Sequence, residues 1–322
     1  MKCFITGITG FCGSHLAELL LSQGHEIIGT KRHRSDTKNI DHILNKIQLI
    51  DNIDLCDITS LLPILSKYKP DYIFHLAAQS YVHQSWEAYS ATIGANIIGT
   101  YNLLNVVRLS GYKKFPRVLL AGSSEEYGRS EEAEQLNENS PCMPVSPYGV
   151  SKLAMTMAGV QMFYSYGIPI VMSRAFNHTG PRRGSSFLIS NFIKQIVEME
   201  NGTRELILKH GDISTARDYT DVRDICKAYV MAIQNCEAGK IYNISSGKCY
   251  SGIEILDILK LNSKVNFETQ IDNDRLRPSD ISILHSCSLK FQMSTHWEAE
   301  IPIEQTIQDM FEYWRNELKV RV

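Results

Sequence analysis

Ser123-Ser124-Glu125 closes an apolar run, Val118-Leu119-Leu120, and Tyr148 and Lys152 follow four residues apart at the start of a helix-compatible stretch. Side chains at i and i+4 share one face of a helix. Tyr148 and Lys152 are therefore expected to point together at whatever lies beyond the strand tip carrying Ser123 to Glu125. Two hydroxyls, a carboxylate, a phenol and an ammonium form an acid/base cluster. What it works on has to come from the elements around it.

The first of these is at the N-terminus. Cys3 to Thr6 reads as a buried strand, and Gly7-Ile8-Thr9-Gly10-Phe11-Cys12-Gly13 follows. A helical pattern then runs through Leu16, Leu19 and Leu20, and a second strand lies at Glu26 to Thr30. Strand, glycine turn, helix and strand make a βαβ unit whose turn lets a pyrophosphate approach the backbone. The helix N-terminus offers free N–H groups and positive dipole. Gly7, Gly10, Phe11 and Gly13 are thus assigned to a dinucleotide. An NAD site places an acid after the second strand, but here Thr30-Lys31-Arg32-His33-Arg34-Ser35 stands. Cations and hydroxyls suit a 2′-phosphate, so the expected cofactor is NADP rather than NAD, with Arg32 and Arg34 on the phosphate. Asp54, with Leu55 beside it, is a candidate contact to the adenine amino group. A fourth strand, Asp71 to Leu76, ends in Ala77-Ala78-Gln79-Ser80. Small residues there let a cofactor pass close to the backbone.

With NADP beside it, the Tyr148/Lys152 pair has a use. The ammonium and the positive nicotinamide ring both favour phenolate, which predicts a Tyr148 pKa below the usual ~10. Tyr148 can then take a hydroxyl proton as hydride leaves the same carbon. Lys152 also holds the nicotinamide ribose, and Ser123 hydrogen-bonds the reacting oxygen.

Strand–helix alternation continues through a short strand at 47–50, a helix at about 91 to 110, a strand at 117 to 122 and a strand at 168 to 173. It predicts an α/β protein with a parallel sheet covered on both faces. Ligands of such sheets bind at the carboxyl ends of the strands. The glycine turn, Ala77 to Ser80 and Ser123 to Glu125 all lie at such ends and should converge. The expected organisation is a nucleotide-binding domain over 1–174, rejoined by segments at about 213–244. The remainder of 175–322 forms a smaller cap, with helices near 186–199 and 303–317, while a helix near 223–235 falls in the rejoining segment.

The totals exclude several classes. The chain has 322 residues, 43% hydrophobic and 21% charged, with a net charge of −2, so no basic face argues for nucleic acid. Its eight cysteines form no C-x-x-C pair, which leaves zinc and redox motifs without support and fits a reducing compartment. His75, His83 and His178 match no ligand spacing, so no metal is expected. No window reaches the ~20 apolar residues of a membrane helix, and Met1 leads directly into a strand instead of a signal sequence. A cytoplasmic location is expected.

Thr6-Gly7-x-x-Gly10-Phe11-x-Gly13, the Ser123 strand end, Tyr148-x-x-x-Lys152 and the Asn177 loop together resemble the extended short-chain dehydrogenase/reductases of nucleotide sugars. That resemblance implies a doubly wound parallel (Rossmann) sheet with a smaller α/β substrate-binding cap. Two groups acting on GDP-sugars are the most similar, the GDP-mannose 4,6-dehydratases and the GDP-4-keto-6-deoxy-mannose reductases. The dehydratase pattern implies that Glu125 removes the C5 proton and helps protonate the leaving C6 hydroxyl, with Ser124 assisting. It implies substrate contacts from Gln79 and Ser80, from Asn177, Arg217 and Arg277 on the GDP pyrophosphate, and from Asp280 on the ribose. Asn191 stands where dehydratases often place a lysine near the guanine. The basic segment after the second strand and Asn177 to Gly184 look more like dehydratase loops, whereas Arg217 to Asp224 resembles the reductase more. The dehydratase is the expected activity, on GDP-mannose or a related GDP-sugar such as a GDP-heptose, the reductase the alternative, and a non-catalytic cofactor-binding protein the remote one. Homodimers or homotetramers are implied too, with Arg34 to Ile40 reaching a neighbouring subunit in the tetramer.

Overall fold

Alternating apolar runs and amphipathic stretches build the sheet and its two helical layers. We describe them in a computed structural model that covers residues 1–129, 135–275 and 283–319. The first part of the chain forms β1 (Lys2–Thr6), α1 (Phe11–Ser22), β2 (Glu26–Thr30), β3 (Gln48–Ile50), α2 (Ile58–Tyr68) and β4 (Tyr72–His75). There follow α3 (Val82–Glu87), α4 (Tyr89–Ile93), α5 (Gly99–Leu109), β5 (Arg117–Ser123), α6 (Pro147–Tyr166) and β6 (Ile170–Ala175). Next come β7 (Asn177–Thr179), α7 (Leu188–Glu200), β8 (Ile207–His210), β9 (Ala216–Asp221), α8 (Val222–Asn235) and β10 (Ile241–Ile244). The chain closes with β11 (Cys249–Ser251), α9 (Gly252–Asn262), β12 (Glu268–Ile271), β13 (Ile283–Leu284), α10 (Leu289–Thr295) and α11 (Ile303–Glu317).

The large sheet has the order β10-β6-β5-β4-β1-β2-β3, with every pair parallel. Alternate residues of its strands face opposite ways. Ile5, Phe74, Leu119 and Val171 pack with Leu16 and Leu20 of α1 and Ile225 and Ala232 of α8. Phe4, Ile73, Leu120 and Met172 pack on the other face with Leu61, Leu103 and Met155. Burial on both faces is why these strands read as continuous apolar runs rather than alternating ones. The order reverses at β1, between β2 and β4, which opens a crevice at the carboxyl ends where such sheets bind ligands. This is the doubly wound architecture expected from the sequence.

A second layer sits over that crevice. β9 pairs with β7, β11 and β13, β8 pairs with β12, and α7, α9 and α11 enclose a separate core containing Ile193, Ile196, Leu208, Leu259, Ile307 and Met310. The return to the large sheet begins later than the sequence suggested. Within the expected 213–244 segment, β9 belongs to the smaller layer, and α8 and β10 rejoin the large one. Phe291 and Trp297 join the same core, and Trp297 Nε1 donates to the Asp224 carbonyl at 3.1 Å. The expected single helix at about 91 to 110 contains a π turn, Gly94–Ile98, between α4 and α5. That turn holds Asn96, whose inward side chain matters below. Among the described residues no helix is long and apolar enough to cross a membrane.

Candidate active site

The glycine turn is sterically fixed. Gly7 has φ of +73°, and a Cβ there would lie 2.9 Å from the backbone of Ala77. A Cβ on Gly13 would lie 2.2 Å from the Gly7 carbonyl oxygen. No side chain caps α1, so its first amides remain available to an anion. The turn opens into a cavity of about 620 Å³ lined by Gly7, Gly10, Phe11 and Gly13. Arg32, Asp54, Leu55, Leu76, Ala77 and Ala78 line it further along, and Tyr148 and Lys152 close its far end. A glycine cradle, an uncapped helix start, an acid at one end and a Tyr/Lys pair at the other fit a nicotinamide dinucleotide. Arg34 is different. It is exposed, its φ is +64°, and it does not line the cavity. Its backbone is left-handed, and Ser35 rather than Arg34 lines the cavity beyond Arg32. Lys31 also lines the cavity but is bound to Asp51 at 2.8 Å.

The strand tip of β5 is shaped by a reciprocal cap. Ser123 Oγ accepts from the Glu125 N–H at 3.2 Å, and Glu126 Oε1 accepts from the Ser123 N–H at 2.9 Å. This turns Glu125 outward and Glu126 inward. Helix α6 begins on Ser146, whose hydroxyl accepts from the Gly149 N–H, followed by Pro147 at its first position, a favoured N-terminal arrangement. Tyr148 and Lys152 thus lie in its first turns, 8% and 4% exposed. The Ser123 hydroxyl hydrogen-bonds the Tyr148 phenol. Lys152 Nζ donates to the Ala121 carbonyl at 2.7 Å and lies 5.9 Å from the Tyr148 ring centroid.

These positions bear on the expected acidity of Tyr148, an expectation that included the positive nicotinamide ring beside the phenol. Burial pushes the Tyr148 phenol up to about 12, and the Ser123 hydrogen bond offsets only part of that. Desolvation of the phenolate outweighs the neighbouring cations. Burial also lowers Lys152 to about 8, so the protein's own groups do not make Tyr148 acidic.

A second cavity of about 600 Å³ meets the first at Tyr148. Ser80, Ser123, Glu125, Asn177, Asn191 and Arg217 line it. Glu125 is partly exposed there, with Ser123 and Tyr148 on the same wall. Besides Arg34, two residues assigned from the sequence, Ser124 and Gln79, line neither cavity. Ser124 is 1% exposed, since the turn it opens packs it inward. Gln79 folds back on its own loop, donating to the Tyr81 carbonyl at 3.0 Å and accepting from the Tyr81 N–H at 2.8 Å. Arg277 and Asp280 fall outside the described residues.

Sequence reasoning missed His178, Arg183 and Asn96. His178 and Arg183 line both cavities at their junction. The Arg183 guanidinium sits 3.4 Å from the Phe187 ring centroid and 4.8 Å from that of Phe11, and burial lowers its pKa to about 10. His178 stacks on Phe11 at 6.0 Å, and burial lowers it to about 4, so it is neutral at pH 7. Asn96 is buried and ties two site segments together. Its amide donates to the Gln79 carbonyl at 3.0 Å and to Ser151 Oγ at 2.8 Å, while its Oδ1 accepts from the Gln79 N–H at 2.8 Å. The donor-rich run from Asn177 to Gly184 was a signal for the first two. Nothing local marks Asn96, because its partners are 17 and 55 residues away.

Known proteins bear on this arrangement. The family described as GDP-mannose 4,6 dehydratase matches residues 4–310. The chain belongs to the GDP-mannose 4,6-dehydratase family. It is an enzyme of this nucleotide-sugar family, with the extended short-chain dehydrogenase/reductase fold. It is 30% identical to the GDP-6-deoxy-D-mannose reductase of Pseudomonas aeruginosa over 99% of this chain and 98% of that one. It is also 30% identical to a GDP-mannose 4,6-dehydratase of Vibrio cholerae over 96% of this chain and 92% of the relative. Among solved structures, RMD from Pseudomonas aeruginosa complexed with NADPH superposes with a TM-score of 0.86 at 28% identity, over 98% of this chain and 99% of that one. The family thus includes relatives of both activities that match nearly the full chain.

Proposed function

We propose that this enzyme is an NADP-dependent 4,6-dehydratase of a GDP-hexose, GDP-mannose or a related GDP-sugar such as a GDP-heptose. The observation that carries the reading is Glu125 in the second cavity, on the wall shared with Ser123 and Tyr148. Ketone reduction needs no such carboxylate, whereas elimination needs a base for a carbon acid. NADP⁺ in the first cavity would supply the hydride acceptor for C4 and return that hydride at C6. Tyr148 takes the C4 hydroxyl proton while the Ser123 hydroxyl holds the same oxygen. Lys152, buried against the Ala121 carbonyl, and the positive nicotinamide ring would together favour the phenolate, which the protein's own groups alone do not. Once C4 is a ketone the C5 proton is acidic. Glu125 removes it and delivers a proton to the C6 hydroxyl, which leaves as water, and C5 regains a proton, the equivalent of the one Tyr148 took, as the hydride would return to C6. Asn177 and Arg217 hold the diphosphate, a contact that suits a guanidinium fork.

The choice of NADP rests on Arg32 and Ser35, which line the cavity after β2, and on the NADPH carried by the Pseudomonas structure. We further propose a cytoplasmic homo-oligomer, a dimer or tetramer. Along α6, Val150, Met157 and Tyr164 are exposed at seven-residue spacing, which keeps them on one helix face. The only charged residue of that helix, Lys152, is buried. Ile93, Ile98 and Tyr101 on the neighbouring α4–α5 helix are exposed as well. A second copy of the same face is the natural cover.

The test is incubation with GDP-mannose and catalytic NADP⁺, without added reductant. A 4-keto-6-deoxy sugar accumulates, and Glu125→Gln lowers its formation at least 1,000-fold while C4 oxidation survives. The reductase reading has its own support, the Arg217 to Asp224 segment and the full-length Pseudomonas relative. It requires the ketosugar as substrate and consumes NADPH stoichiometrically, an outcome that would replace the dehydratase.

A further inference from the structure

The mechanism above does not use Glu126, a buried carboxylate next to Glu125. Glu126 is 0% exposed, and both of its oxygens are occupied. Oε1 accepts from the Ser123 N–H at 2.9 Å and from Thr156 Oγ1 at 2.9 Å. Oε2 accepts from Arg174 Nε at 2.8 Å, and Arg174 is itself 2% exposed. The Arg174 guanidinium lies 4.7 Å from the Tyr127 ring centroid, and Tyr127 OH donates to Asn243 Oδ1 at 2.6 Å. A Cβ on Gly122 would lie 2.5 Å from Glu126 Oε1, so the strand at that point has room only for glycine.

The donors come from three elements, each bearing part of the site. Ser123 ends β5, and Glu125 is the next-but-one residue. Thr156 is one turn beyond Lys152 on α6. Arg174 is on β6, three residues before Asn177. Burial pushes the Glu126 carboxyl's pKa up and Arg174 pulls it back, so the site is costly to build and unforgiving of a missing partner. A leucine at this position would fill the same space at no such cost. We infer that Glu126, held by Arg174, is a positioning residue that fixes the Ser123–Glu125 turn against Tyr148 and Lys152. This rests on the proposed roles of Ser123 and Glu125.

Two double variants test it, because removing either charge alone leaves its buried partner unpaired and strongly destabilises the fold. Glu126→Leu with Arg174→Met removes both charges and the acceptor for the Ser123 N–H. Glu126→Gln with Arg174→Met removes both charges and keeps that acceptor. Both are assayed at a temperature where circular dichroism shows them folded. The expected result is a 50-fold or greater loss of kcat in the Leu variant, recovery to within about fivefold of wild type in the Gln variant, and KM within threefold in both. Equal kcat in the two folded variants would overturn the inference. Hydrogen exchange over residues 117–129 reads the same point without turnover. The Leu variant should exchange at least tenfold faster there than the Gln variant, and equal rates would again overturn it. If wild type transforms neither GDP-mannose nor the ketosugar, the proposed function fails, and the exchange measurement still decides the role of Glu126.

Discussion

At the scale of single residues, the cofactor preference turns on which cation reaches the cavity. The sequence offers Lys31, Arg32 and Arg34 within four positions. In the fold Lys31 is engaged by Asp51, Arg34 is exposed on a left-handed backbone, and Arg32 remains on the cavity wall with Ser35. Arg32→Ala should therefore weaken NADP binding about 10-fold and leave NAD affinity nearly unchanged, a loss of ~1.4 kcal/mol typical of a charged hydrogen bond to phosphate. Arg34→Ala should change NADP affinity less than twofold. Fluorescence titration with both cofactors measures each. Equal losses in the two variants would show that Arg34 takes part after all. The same scale shows why Tyr148 cannot be read from its neighbours in sequence. A lysine four residues on suggests a lowered phenol pKa, but the burial of both groups decides the sign.

At the scale of elements, the helix that carries the proposed Tyr148/Lys152 chemistry on one side presents an apolar face on the other. α6 aims Tyr148 and Lys152 inward and exposes Val150, Met157 and Tyr164. The adjoining α4–α5 helix is charged only at Arg108 between Tyr89 and Leu109. If two copies pair through these faces, Met157→Glu combined with Ile98→Lys should halve the mass seen by light scattering or sizing. Wild-type mass for a folded double variant would exclude this face. The π turn at Gly94–Ile98 belongs to the same scale. It lets Asn96 face the site loops while Ile93, Ile98 and Tyr101 stay exposed, an arrangement that an unbroken α-helical period does not describe. π turns are frequent at functional sites.

At the scale of the whole molecule, stability is tied to pH through groups buried neutral. His75 is 1% exposed, bonded to Thr6 Oγ1 at 2.8 Å and Thr100 Oγ1 at 2.9 Å, and burial lowers it to about 3. Below pH 6.5 the unfolded chain protonates this histidine and the folded one does not. The unfolded state then binds more protons, so stability rises with pH in that window and is lost as pH falls toward 3. Each such group contributes a slope of about 1.4 kcal/mol per pH unit well below 6.5. Glu126 and Asp218, raised by burial, act in the opposite sense at the acid end. His75→Gln should flatten the dependence of unfolding free energy between pH 6 and 5 by about 1 kcal/mol per unit, measured by urea titration. An unchanged slope would mean that His75 titrates normally in the fold.

Much of the architecture is local information. The glycine turn, the short apolar strands and the Tyr148/Lys152 spacing each follow from residues within one βαβ unit, so the doubly wound sheet and the cofactor cavity were legible in the sequence, as was the family. Asn177, Asn191, Arg217 and Glu125 were assigned to the substrate side through resemblance, and all four line the second cavity. What the sequence could not determine depends on long-range contacts. Whether Arg34 or Ser35 faces the cavity is set by the backbone of the loop after β2. That Ser124 and Glu126 are buried while Glu125 is turned outward is set by a cap that closes against β6 and α6. That Arg183 and His178 stand where the two cavities meet is set by the packing of the β7 loop on Phe11 and Phe187. Residue type and spacing fix which chemistry a chain can hold. Which of its charges are desolvated, paired or turned to solvent is decided only when distant elements close around them.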